Sequence, residues 1–273
     1  EPMAHRLIAN GYDLTVWNRT ISKTDKLKSE DAKVAAQPSV AIKSCETIIT
    51  MLTDYNAVSE VLFADKNDFK GKTIIQMSTI SPDENILLKD RVEQFGGEFL
   101  EAPVLGSIPQ IENGKLITMV GGSKEQFKKW KKFFESFGES VIHIGDVGKA
   151  SSAKLALNQL ISSTTAAFSM SLGYVREKGI DVEKFMQILR QSSVYAPNFD
   201  RKLNGMLNRD YTNTHFPLKH MLKDVNLILN EFSNHGIETS VLEGVRKILL
   251  EGVRNNLSEL DYSSFYEIIH QKK

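Results

Sequence analysis

Up to Gly145 the chain alternates short apolar runs with helix signals, and beyond Gly148 it carries helix signals alone. The apolar runs are Tyr12 to Trp17, Thr47 to Leu52, Thr73 to Met77, Glu98 to Leu100, Leu116 to Val120 and Ser140 to Ile144. Between them, Ser81-Pro82-Asp83-Glu84 is a capping box with proline at the first helical position, leading into Asn85 to Phe95. Ser123-Lys124-Glu125-Gln126 is a second box, and the helix it opens sets Phe127, Trp130, Phe134 and Phe137 in one apolar stripe. Such alternation predicts a parallel, doubly wound sheet. In the second half a long helix runs from Lys149 to Lys178 and stops at Gly179, and Asp181 caps another through Gln191. Further helical segments span Pro217 to His235 and Thr239 to Asn256, with a last capping box at Ser264-Phe265-Tyr266-Glu267. The expected architecture is an α/β domain over residues 1–148 and an all-α domain over 149–273, joined by the long helix.

Charge and composition exclude several functions. Lysine plus arginine (34) balances aspartate plus glutamate (34), so no net field favours nucleic acid or an anionic membrane. The five lysines from Lys124 to Lys132 are interleaved with aromatics, but those aromatics share one helix face, which makes the lysines its solvated side. No apolar run approaches the length of a membrane span. Six histidines without ligand spacing and the lone Cys45 give no zinc site, and one cysteine fits a reducing, cytoplasmic setting.

Lys154 is the residue that suggests chemistry. In Gly148-Lys149-Ala150-Ser151-Ser152-Ala153-Lys154-Leu155-Ala156-Leu157-Asn158, Lys154 and Asn158 lie one helical turn apart on one face, among alanines and leucines. The local pattern leaves two uses open. The lysine can snorkel from the helix edge, or it can be buried as a proton donor whose pKa burial lowers, with the amide beside it. Loops after the predicted strands are the other candidates, because open α/β sheets bind ligands there. Asn18-Arg19-Thr20 holds an arginine and no acid where a dinucleotide fold reads the ribose, which is open to two uses, a contact to a 2′-phosphate or an ordinary surface arginine. Thr53-Asp54 and Ser78-Thr79 follow the next two strands. Pro103 to Ser107 follows another, and its Gly106-Ser107 is open to two uses, an anion site or a plain turn. Lys219 and Lys223, one turn apart, are either a solvated face or a pair facing an anion.

Taken together these segments resemble the β-hydroxyacid dehydrogenase family, with 3-hydroxyisobutyrate dehydrogenases in it, and most of all its glyoxylate/succinic semialdehyde reductase branch. The markers are Pro2-Met3-Ala4 with Gly11, Val16-Trp17-Asn18-Arg19-Thr20, Met51-Leu52-Thr53-Asp54, Met77-Ser78-Thr79, Ala102-Pro103-Val104, Gly145 through Lys154 to Asn158, and Phe216-Pro217-Leu218-Lys219-His220-Met221-Leu222-Lys223-Asp224. Seven markers in order span essentially the whole chain. The resemblance implies a Rossmann-like first domain and a helical second domain that mediates dimer or tetramer assembly, with the apolar positions after Thr239 suited to such a surface. It implies Lys154 as catalytic acid assisted by Asn158. It assigns NADP(H) contacts to Pro2, Met3, Asn18, Arg19, Thr20, Leu52, Thr53, Ser78, Thr79 and Lys223, and substrate contacts to Leu105, Gly106, Ser107, Phe216 and Asp224.

The chain departs from the family pattern twice. Glu1 to Gly11 reads as a helix already in progress, so a strand and glycine-rich turn of about a dozen residues are expected to precede Glu1. Where the family has Pro-Val-Ser-Gly, this chain has Pro103-Val104-Leu105-Gly106, and leucine cannot donate to a substrate carboxylate. The expected function is NADPH-dependent reduction of small carboxylate-bearing aldehydes, glyoxylate and succinic semialdehyde, to hydroxy acids. Its rivals are an NAD-dependent 3-hydroxyisobutyrate dehydrogenase and a non-catalytic NADP-binding interaction module.

Overall fold

The computed structural model describes residues 1–64 and 68–271. The chain forms two compact units, Glu1–Lys154 and Leu155–Lys273. The first runs α1 (Pro2–Ala9), β1 (Thr15–Val16), α2 (Asp25–Lys28), β2 (Lys33–Val34), α3 (Pro38–Ser44), β3 (Thr47–Thr50), α4 (Tyr55–Phe63) and β4 (Thr73–Gln76). It continues through α5 (Pro82–Gln94), β5 (Glu98–Glu101), β6 (Val104–Leu105), α6 (Ile108–Glu112), β7 (Ile117–Gly121), α7 (Lys124–Phe134) and β8 (Ser140–Gly145).

β1 and β2 pair in parallel by themselves, and the other six strands form one sheet. β3, β4 and β5 are parallel neighbours, as are β7 and β8, but β7 runs antiparallel to β5 and β6. The sheet is therefore mixed where the alternation predicted a parallel one. The cause is the connection between β6 and β7, which holds only the five-residue α6. It is too short for a crossover, so the chain turns back on itself. Residues 103–107, expected as a loop, supply β6. β5 and β6 pair with β7 in one continuous register, broken at Ala102-Pro103 because proline has no N–H for the ladder.

Both faces of the sheet are covered. Ile74 and Ile75 are fully buried on opposite faces, one packed with Val58, Leu88 and Val92, the other with Leu7, Leu100 and Phe134. Each such side chain contributes about 1.5–3 kcal/mol relative to exposure. Phe127 and Trp130 pack into the second cluster, so α7 turns its lysines outward. The two capping boxes form as the sequence predicts: Ser81 Oγ accepts from the Glu84 N–H at 3.2 Å, and Ser123 Oγ from the Gln126 N–H at 3.1 Å.

α8 (Lys149–Glu177) is a continuous 29-residue helix that starts in the first unit and enters the second. It stops before Gly179, which takes φ +65°. Asp181 caps α9 (Val182–Gln191), accepting from the Lys184 N–H at 2.8 Å. Then come α10 (Pro197–Asn208), α11 (Leu218–Asn234), α12 (Ser240–Arg254), a 3-10 turn over Tyr262–Phe265 and α13 (Tyr266–Ile269). The expected box at Ser264 does not form. Asp261 caps this turn instead, accepting from the Ser263 N–H at 3.1 Å, while Glu267 takes the Tyr211 hydroxyl at 2.6 Å. Of the apolar positions after Thr239, Val241 is exposed and three others turn inward. Leu242, Val245 and Leu249 pack with Leu218, Met221, Val225 and Ile228 in the unit's own core.

Candidate active site

α8 starts over the C-terminal edge of the sheet, where Glu101 ends β5. Glu101 Oε1 accepts from the N–H groups of Gly148 (2.8 Å), Ala150 (2.9 Å) and Ser151 (3.2 Å). One turn further along α8, Lys154 is 9% exposed and Asn158 3%. Those values decide the open question: Lys154 is a buried lysine rather than one reaching to solvent from a helix edge.

Most of the cofactor candidates lie in the first unit, on loops or at the start of α1, and Lys223 lies in the second. Asn18 Oδ1 accepts the Thr20 N–H at 2.9 Å, which curls the chain after β1 around the base of Arg19. The Arg19 guanidinium is 75% exposed and lies 3.8 Å from Glu60 of α4, itself 71% exposed. The Leu52 N–H donates to Ser78 Oγ at 2.7 Å, joining the loops after β3 and β4 and placing Thr53 beside Ser78 and Thr79. Pro2 and Met3 lie in the first turn of α1, with Met3 packed against the core. This donor set fits a dinucleotide phosphate: an exposed arginine, hydroxyls, and no acid among Asn18, Arg19 and Thr20. Any phosphate there competes only with a solvated ion pair.

Leu105 is a half-buried residue of β6 and, by the two-residue alternation of its strand, shares the sheet face of Glu101. Gly106 follows with φ +130°, and a Cβ there would stand 2.5 Å from Leu116. Ser107 spends both its donors on Gln110: its N–H reaches Oε1 at 2.9 Å and its hydroxyl at 2.8 Å. In the second unit, Asn158 Nδ2 donates to Asp224 Oδ2 at 2.7 Å, and the Lys223 ammonium lies 2.9 Å from Asp224 Oδ1. Lys219 points elsewhere, 2.6 Å from Glu259, so the two lysines face separate carboxylates. Phe216 is half-buried just before α11, where Asp261 Oδ2 accepts its N–H at 3.4 Å. No group of three potential metal ligands occurs among the described residues.

Sequence reasoning missed three buried polar residues: Gln76, Asn85 and Glu101. Gln76 Nε2 donates to Asn85 Oδ1 at 2.9 Å and to the Ser78 carbonyl at 3.1 Å, fixing the loop that carries Ser78 and Thr79. Burial pushes the Glu101 carboxyl above its ordinary value, against its hydrogen bonds to Ser151, Gly148 and Ala150. One signal was present: a second acid, Glu101, closes the short strand run Glu98-Phe99-Leu100 directly after two large apolar residues.

A mainly parallel sheet covered by helices on both faces, followed by a helical unit, defines a Rossmann-like nucleotide-binding fold. Residues 1–145 match the NAD binding domain of 6-phosphogluconate dehydrogenase, and residues 148–269 match the NAD-binding domain of NADP-dependent 3-hydroxyisobutyrate dehydrogenase. Glyoxylate/succinic semialdehyde reductase 1 of Arabidopsis thaliana is 32% identical over 98% of this chain and 93% of its own length. The chloroplastic reductase 2 of the same plant is 30% identical over 100% and 77%. A crystal structure of 3-hydroxyisobutyrate dehydrogenase from Salmonella typhimurium superposes with a TM-score of 0.87 at 18% identity, covering 98% of this chain and 95% of that one. The chain belongs to the β-hydroxyacid dehydrogenase family. It is an NAD(P)-dependent oxidoreductase acting on hydroxyacid and aldehyde groups.

Proposed function

We propose that the chain reduces small carboxylate-bearing aldehydes, glyoxylate and succinic semialdehyde, to the hydroxy acids, with NADPH as reductant and Lys154 as proton donor. The observation that carries this reading is the burial of Lys154 on α8, one turn before Asn158. When bound, NADPH supplies a hydride to the aldehyde carbon. Lys154 gives a proton from Nζ to the oxygen that gains charge as the carbonyl is reduced, which is general-acid catalysis. Asn158 is oriented by Asp224, so its amide is held in one rotamer on the same helix face. The absence of an acid beside Arg19 supports NADPH over NADH. The two plant relatives support the substrate class, and Leu105 supports preference for the longer aldehyde.

Two further parts of this reading are a cytoplasmic setting and assembly into a homodimer or homotetramer. Among the described residues, no helix is long and apolar enough to cross a membrane. The support for assembly is an exposed apolar stripe on α8, with Leu160 55%, Met170 56% and Tyr174 64% exposed.

The test is Lys154→Ala. Turnover of both aldehydes is expected to fall roughly 10²–10⁴-fold, the usual contribution of a positioned general acid, with NADPH affinity within about twofold of wild type. Near-normal turnover in the variant would remove Lys154 from the reaction. An intact chain that binds NADPH and reduces neither aldehyde would favour the binding-module alternative.

A further inference from the structure

Glu101 is fully buried, and its Oε1 gathers three N–H groups from residues 148–151. These are donors that a helix start otherwise leaves unsatisfied. Space for the carboxylate is built in: at Gly121, the residue paired with Glu101 across β5 and β7, a Cβ would collide with Oε1. Glu101 is also in register with Gln76 on β4, the residue that fixes the Ser78-Thr79 loop. One row of the sheet thus references both the loop proposed for the cofactor and the first turn of the lysine helix.

We propose that Glu101 is a positioning residue for the reduction: its Oε1 pins the first turn of α8 to the sheet and thereby sets where Lys154 stands relative to the Ser78-Thr79 loop. This rests on Lys154 being the proton donor. What matters is the reach of an acceptor oxygen, not its charge. Burial raises the carboxyl while the three N–H donors lower it, and in either protonation state Oε1 is the acceptor that holds the helix start.

Two conservative substitutions separate reach from charge. Glu101→Gln keeps an acceptor oxygen at the same distance and abolishes ionisation. Glu101→Asp keeps ionisation and withdraws the carboxyl by one methylene, roughly 1.5 Å. Steady-state kinetics are measured with NADPH and whichever of glyoxylate and succinic semialdehyde the wild type turns over faster. The Asp variant is expected to lose about ten- to a hundredfold in kcat, the scale of a one-ångström misplacement, with KM for NADPH within about twofold. The Gln variant is expected to stay within about threefold of wild type in both. Hydrogen exchange at the amides of residues 148–152 should quicken in the Asp variant and not in the Gln variant, with residues 124–134 unchanged in both. An active Asp variant, or a Gln variant impaired more than Asp, overturns the proposal. If the Asp variant does not fold, Gly121→Ala displaces the same carboxylate, and a normal kcat there counts equally against it. Full turnover by Lys154→Ala would instead overturn the proton-donor reading, and the exchange data judge the anchoring of α8 independently of that result.

Discussion

Arg19 and Glu60 are both mostly solvated at 3.8 Å, an arrangement that contributes little and leaves the guanidinium available to a phosphate. Arg19→Asp replaces an attractive contact with a repulsive one. Losing a charge-assisted contact of about 1.5–3 kcal/mol raises KM for NADPH roughly ten- to a hundredfold, and NADH should scarcely notice. Kinetics with the two cofactors check this, and equal losses for both would mean that Arg19 reads no 2′-phosphate. Leu105 poses the parallel question for substrate. It shares the face of Glu101, over which α8 begins, and offers apolar surface where Ser107 has turned its donors to Gln110. Leu105→Ser restores a hydroxyl and removes contact worth roughly 0.8 kcal/mol per methylene. The kcat/KM ratio of glyoxylate to succinic semialdehyde should therefore rise several-fold. An unchanged ratio would place Leu105 outside the substrate's reach.

Between elements, Asp261 ties several segments together. It pairs with Lys202 of α10 at 2.8 Å and accepts from the N–H groups of His215, Phe216 and Ser263, tying α10 and the 3-10 turn to the entry of α11. Burial alone would raise its carboxyl, but the Lys202 ammonium and the Ser263 donors hold it below the ordinary value of 3.8. A depressed native pKa means stability that is present above the unfolded value and lost as pH falls through the native one. Asp261→Asn leaves the Lys202 charge buried without its partner. It should cost about 3–5 kcal/mol in urea unfolding at pH 7, with the gap to wild type narrowing below about pH 3.8. A gap independent of pH would show that the pair's charge is not what stabilises this corner. The same element shows what sequence can and cannot reveal. The caps at Ser81, Ser123 and Asp181 were legible because their chemistry is complete within four residues. Ser264 had the same local pattern, but Asp261, already fixed by Lys202, supplies the cap. Strand direction at β7 was illegible for want of α6, a five-residue helix below the length at which periodicity speaks. Glu101 was illegible as an anchor because its partners lie 47 to 50 residues along the chain. Burial of Lys154 depended on packing that no local window contains.

Across the molecule, the apolar residues divide by what covers them. Most of those of α12 are consumed by the second unit's core, with Val241 left exposed, whereas on α8 Leu160, Ala167, Met170 and Tyr174 all remain exposed. With Ser163 they step along the helix by three and four residues, the spacing of a seam that packs against another helix. A second copy of the chain is the occupant proposed above, and a seam on a two-fold axis is self-complementary. Met170 sits within this seam. Met170→Glu would bury a carboxylate against its own symmetry mate, at a cost on the order of 3–5 kcal/mol for an unpaired charge. That weakens self-association by a hundredfold or more. Sedimentation velocity at micromolar concentration should find wild type associated and the variant monomeric. Lys149→Gln, which makes the same one-unit change of charge outside the seam, should leave the association state unaltered. A monomeric wild type would remove the oligomer from this reading, and an associated Met170→Glu would move the interface off α8.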